Sequence, residues 1–165
     1  MPRRKERKQE AVKADPQIQE LVGSIVKYKK FKQLAEYNMS CLLQKITPPA
    51  AGWEENVKEV VKCEGIATLV EVLKNQKGNA AILATASKTL SRLAINPEMA
   101  SAIASSGAIG MAMASLEAMG DDADDDMARQ GLESTIQLLE QVAACAPDAL
   151  VQAGSVANVI NVMKK

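Results

Sequence analysis

The chain has 165 residues, 47% of them apolar but only 2% aromatic, with equal numbers of acidic and basic side chains. That length suits one domain or a short array, and a core of Leu, Val, Ile, Ala and Met favours helices over sheets. Histidine is absent, which removes the commonest general base and the commonest zinc ligand, and Cys41, Cys63 and Cys145 have no CxxC spacing.

No nucleophile elbow and no phosphate-binding glycine loop occurs, so the sequence argues against an enzyme and implies no cofactor or metal. The three thiols read as small buried hydrophobes in a reducing compartment. The N-terminus is basic but is followed by polar sequence rather than an apolar segment, and no apolar run reaches about 18 residues. These features predict a soluble cytoplasmic protein without a membrane span; cytoskeletal, ciliary and nuclear locations stay open.

The balanced charge is unevenly spread. Residues 1–46 carry eleven Lys/Arg against five Asp/Glu, whereas residues 114–148 carry only Arg129 against nine acids.

The first sixteen residues, "MPRRKERKQEAVKADP", are apolar-poor and predict a disordered arm. From Gln17 a helical period begins, with Ile18, Leu21, Val22, Ile25 and Val26 on one face. A second run follows, with Phe31, Leu34, Ala35, Met39, Leu42, Leu43 and Ile46 inward, and "TPPAAG" at 47–52 breaks it.

Beyond this break the pattern repeats. "WEENVKEVVKCEGIATLVEVLKNQKGN" reads as helix, Gly65, helix and a Gly-Asn turn. "AAILATASKTLSRLAI" is a longer helix, with Ile82, Leu83, Ala86, Leu90, Leu93 and Ala94 inward. "NPEMASAIASSGAIGMAMASLEAM" gives helix, Gly107, helix, and its methionines, with Met127, read as core filler. After the acidic "GDDADDD" comes the long helix "MARQGLESTIQLLEQVAACA", and "PDALVQAGSVANVINVM" is again helix, Gly154, helix. The three glycines are 42 and 47 residues apart, and a helical unit repeating at about 40–47 residues is the armadillo/HEAT signature.

Through "NPEMASAIASSGAI", its echo "PDALVQAGSVANVI", and "CEGIATLVEVL" with the helix end "LSRLAI", the sequence resembles the armadillo-repeat family over residues 17–163. The resemblance implies an all-α fold, a right-handed α-solenoid of three-helix repeats forming an incomplete array. Residues 1–16 would be a basic arm, 17–49 a degenerate or capping repeat, and 50–96 and 97–146 full repeats, the second with an acidic insert at 120–126. Residues 147–165 would be the first two helices of a further repeat. Candidate third helices are 31–46, 80–95 and 126–145. The face of Val156, Val159, Ile160 and Met163 would then need a continuation, and further repeats C-terminal to this segment are expected.

Members of this family bind extended partners along the groove made by their third helices. Lys88 and Arg92 lie four apart, hence on one helix face, and Gln137 and Gln141 match them in the next long helix. Lys88 stands where peptide-binding members carry Trp, and Arg92 where they carry Asn. The ladder of nuclear-transport cargo receptors is therefore missing, and a Lys/Arg groove suits an acidic or carboxylate-bearing strand.

Two charged segments are further candidates. Asp121, Asp122, Asp124, Asp125 and Asp126 form an acidic docking loop for a basic partner; without a central Gly they depart from a calcium loop. Arg3, Arg4, Lys5, Arg7 and Lys8 form a basic arm without aromatic interleaving, and the neutral-to-acidic body argues against nucleic acid. The leading expectation is a non-enzymatic scaffold or adaptor for protein partners. The alternative is a structural subunit of a large cytoskeletal or axonemal, microtubule-associated assembly.

Overall fold

The computed structural model describes residues 12–119 and 125–154 of the chain. Among these every regular element is a helix: α1 (Gln17–Tyr28), α2 (Lys32–Lys45), α3 (Trp53–Lys62), α4 (Gly65–Asn75), α5 (Ala80–Leu93), α6 (Pro97–Ser105), α7 (Ala108–Glu117), α8 (Asp125–Cys145) and α9 (Pro147–Gln152). The three long helices expected at 31–46, 80–95 and 126–145 are α2, α5 and α8.

Local chemistry sets the helix starts. Asn79 accepts a hydrogen bond from the Ile82 amide at 3.2 Å, and Asn96 accepts one from Met99 at 2.9 Å, each satisfying an orphan N–H of the first turn. Pro97 and Pro147 occupy first-turn positions, where a missing N–H costs nothing.

Three joints follow short helices. After α6 and α9 the left-handed residue is Gly107 (φ +79°) or Gly154 (φ +68°). After α3 it is Glu64 (φ +59°), one residue before the expected Gly65. Gly65 itself is buried in the first turn of α4, where a Cβ would lie 2.7 Å from the Val60 carbonyl oxygen and against the Val60 side chain. The first joint therefore uses its glycine for close packing and lets a glutamate take the strained turn. The joints step by 43 and 47 residues rather than 42 and 47.

The core is aliphatic, with Leu42, Leu69, Leu73, Leu83, Leu90 and Ile103 fully buried. Helix α5 is central, packing against α2 on one side and α8 on the other, while α4 packs on α7 and α6 on α9. The α5–α8 approach is close. A Cβ on Gly131 would sit 3.2 Å from Leu83 Cδ2, and the buried hydroxyls of Ser87 and Thr135 meet at 3.4 Å. Met113 is buried, and Met99, Met111 and Met119 pack against the core from its edge.

A polar clasp joins the segment before α1 to α2 and α3. Lys45 Nζ contacts Asp15 Oδ2 at 2.6 Å, the Asp15 amide donates to Asn56 Oδ1 at 2.7 Å, and buried Asn56 donates to the Lys45 carbonyl at 2.8 Å. Hydrogen bonds from the Lys45 ammonium and then the Gln17 amide hold the Asp15 carboxyl below its ordinary range.

Some expected core positions face water. Val26, Phe31 and Leu34 are 47%, 61% and 45% exposed. Phe31 precedes α2 in extended backbone, so it falls off the helical period. Helix α2 buries Ala35, Met39 and Leu42, and Leu34 lies beside that stripe rather than on it. The cysteines are free thiols, but half-buried rather than buried as expected.

Candidate functional site: the groove across α2, α5 and α8

Helix α5 packs against both α2 and α8, and residues near the C-terminal ends of all three line one groove. It encloses about 720 Å³ and is lined by Leu43, Gln44 and Thr47 from the α2 end, Lys88, Ser91 and Arg92 from α5, and Gln137, Glu140, Gln141 and Ala144 from α8. All four residues singled out from sequence, Lys88, Arg92, Gln137 and Gln141, meet here. Their helices are adjacent, and the i, i+4 spacing turns each pair to one side.

Leu43, Ser91 and Ala144 keep the surface low, while the longer charged and amide side chains can contact an occupant. Lys88 and Arg92 are exposed and take part in no ion pair among the described residues. The pairs that do form lie elsewhere, such as Lys58–Glu55 at 2.7 Å and Lys62–Glu59 at 3.6 Å. The two cations thus keep their capacity for charge-assisted hydrogen bonds. Glu140 supplies a carboxylate on the facing helix, so the groove is cationic along α5 and mixed along α8.

Gln44 and Gln137 are exposed and offer amides that can pair with an extended backbone. Gln141 is different. Its amide nitrogen donates to the Ala94 carbonyl at 2.9 Å and reaches Cys145 Sγ at 3.5 Å. Cys145 Sγ approaches the same carbonyl at 3.5 Å. Gln141 therefore ties α8 to the end of α5, satisfying a carbonyl that the helix leaves open.

The α2 wall escaped the sequence reading. Gln44 and Arg92 each precede the last residue of their helix, Lys45 and Leu93, and both line the groove. Ser91, Glu140 and Ala144 needed the facing helices before they could be placed.

The other candidates are scattered. Arg3, Arg4, Lys5, Arg7 and Lys8 lie outside the described residues, as do Asp121, Asp122 and Asp124, and Val156, Val159, Ile160 and Met163. Asp125 and Asp126 open α8, and Asp126 is 3.7 Å from Arg129. The single tryptophan, Trp53, opens α3 and lies outside the groove.

Among the described residues no group of three or more His, Cys, Asp or Glu could hold a metal ion. No single helix there is long and apolar enough to cross a membrane; α6 and α7 together reach that length but bend by 53° at their joint. Comparison with family models, with curated proteins and with solved structures gave no match in any of the three.

Proposed function

We propose that this chain is a non-catalytic interaction scaffold of the armadillo type. It holds an extended, carboxylate-bearing segment of a partner protein in the groove across α2, α5 and α8. The observation that carries this reading is the pair of unpaired cations, Lys88 and Arg92, one turn apart among the exposed amides of Gln44 and Gln137. A strand lying across the three helices would present its carboxylates to α5 and its backbone to the amides. The repeat reading is supported by the left-handed joints at Glu64, Gly107 and Gly154 and by the side-by-side packing of α2, α5 and α8. Of the groove's hydroxyls, Thr47 donates to the Leu43 carbonyl at 2.7 Å and Ser91 is not hydrogen-bonded to Lys88 or Glu140, so binding rather than turnover is the chemistry its residues suit.

Selection from a random dodecapeptide display library tests the proposal. Selected peptides should be enriched in Asp and Glu, and the double variant Lys88→Glu/Arg92→Glu should bind them at least about tenfold more weakly, as lost charge-assisted bonds require. Selected peptides without acidic bias, or equal binding by the variant, would remove the groove from the proposal.

A further inference from the structure

The α1–α2 turn mixes exposed cationic and apolar groups. Residues 26–32 read "VKYKKFK", and no acidic residue occurs from 21 to 35. Lys27, Lys30 and Lys32 are exposed, and Phe31, Val26 and Leu34 expose much of their surface between them. Tyr28 meets Phe31 edge to face, with ring centroids 6.4 Å apart, and Lys27 lies 5.1 Å from the Tyr28 ring centre. This brace holds Phe31 in place while its ring stays in water.

The fold enlarges the patch in a way the sequence does not show. Gln76 donates its side-chain amide to the Lys29 carbonyl at 3.2 Å, which seats the α4–α5 turn beside the α1–α2 turn. That turn adds exposed Lys74 and Lys77. On α4, Glu71 pairs with Lys29 at 3.4 Å, and Met127 from the first turn of α8, next to Asp126, lines the same hollow as Lys32 and Lys77.

We propose that this tip is a peripheral membrane-docking site for bilayers rich in anionic phospholipid. The lysines would sit among the headgroups, and Phe31, with Val26 and Leu34, would enter the boundary of the acyl region. Three features favour a lipid surface over an acidic protein. Lysine is depleted at the core of protein interfaces, yet here Lys27 follows Val26 and Lys30 and Lys32 bracket Phe31 along the chain. A headgroup layer lets long lysine stems lie along apolar surface while their ammonium groups stay hydrated. The apolar groups also crown a turn rather than line a groove, which fits a planar surface better than an extended peptide. Clustered lysines and a small apolar anchor reinforce each other at such a surface.

The site is separate from the groove. Phe31 and the α4–α5 turn flank the N-terminal ends of α2 and α5, whereas the groove lies toward their C-terminal ends. A helix of fourteen residues spans about 20 Å, so the tip could rest on a bilayer with the groove open. Failure of one site would leave the other untouched.

Co-sedimentation of the full chain with large vesicles tests the proposal, using phosphatidylcholine alone and a 70:30 mixture with phosphatidylserine. Binding should be at least tenfold tighter to the anionic vesicles and should weaken from 50 to 300 mM NaCl. Lys27→Glu/Lys30→Glu/Lys32→Glu should reduce it by about a hundredfold or more. Phe31→Ala should reduce it by about tenfold with the salt dependence kept, because it removes apolar contact and no charge. Neutralising Arg3, Arg4, Lys5, Arg7 and Lys8 to Ala should leave the Phe31 effect in place. Circular dichroism of each variant, unchanged from the parent chain, shows that the fold is intact. The proposal is overturned by equal binding to both vesicle types, or by anionic binding that survives the lysine reversal. It is overturned equally by binding that polyglutamate displaces and Phe31→Ala leaves unchanged, which would point to an acidic protein surface.

Discussion

The α3–α4 and α6–α7 joints connect short helices in the same way, yet they use glycine for different physical reasons. At the second, Gly107 takes φ +79°, and a Cβ there would meet no atom within 4 Å. That site needs a backbone conformation and leaves space to spare. At the first, Gly65 has ordinary helical backbone but no space, because the Val60 side chain and carbonyl fill the position of a Cβ. The left-handed residue there is the exposed Glu64. One letter in two corresponding places can thus report a torsion or a contact, and only the neighbouring helix tells which.

Substitutions sharpen the contrast. The largest effect should come from Gly65→Ala, which forces α3 and α4 apart and should destabilise the chain by about 2–3 kcal/mol, the range of overpacked cores. Gly107→Ala puts a Cβ into empty space but into a left-handed turn, so its cost should be about 1 kcal/mol. Glu64→Gly should have the smallest effect and the opposite sign. It relieves a left-handed glutamate, offset by the extra freedom of the unfolded chain, for a gain of about 0.5 kcal/mol. Urea unfolding followed by helical circular dichroism measures all three. The distinction collapses if Gly107→Ala costs as much as Gly65→Ala, or if Glu64→Gly destabilises.

Helix identity was legible because the aliphatic pattern is strong and the breaks are chemically plain. The "TPPAAG" segment, the Asn79 and Asn96 caps and Pro97 each mark a boundary through a local preference that needs no partner. The groove was half legible. Lys88 with Arg92 and Gln137 with Gln141 follow from helical spacing, but Gln44 and Glu140 depend on which helices lie side by side. Gln141 looked like a groove amide and is instead occupied with the Ala94 carbonyl, a partner 47 residues away. The helical period of its neighbours points Phe31 inward, whereas it is 61% exposed. It lies just before α2 in extended backbone, which takes it off the helical period.

Sequence by itself determined the all-helical class, the long helices and one polar face, since 3.6-residue periodicity and capping act within a few residues of the chain. Tertiary structure decided which glycine is a turn and which a contact, which amide is free, and which lysines share a surface. Those outcomes depend on distances between segments some forty residues apart, and local propensity does not encode them.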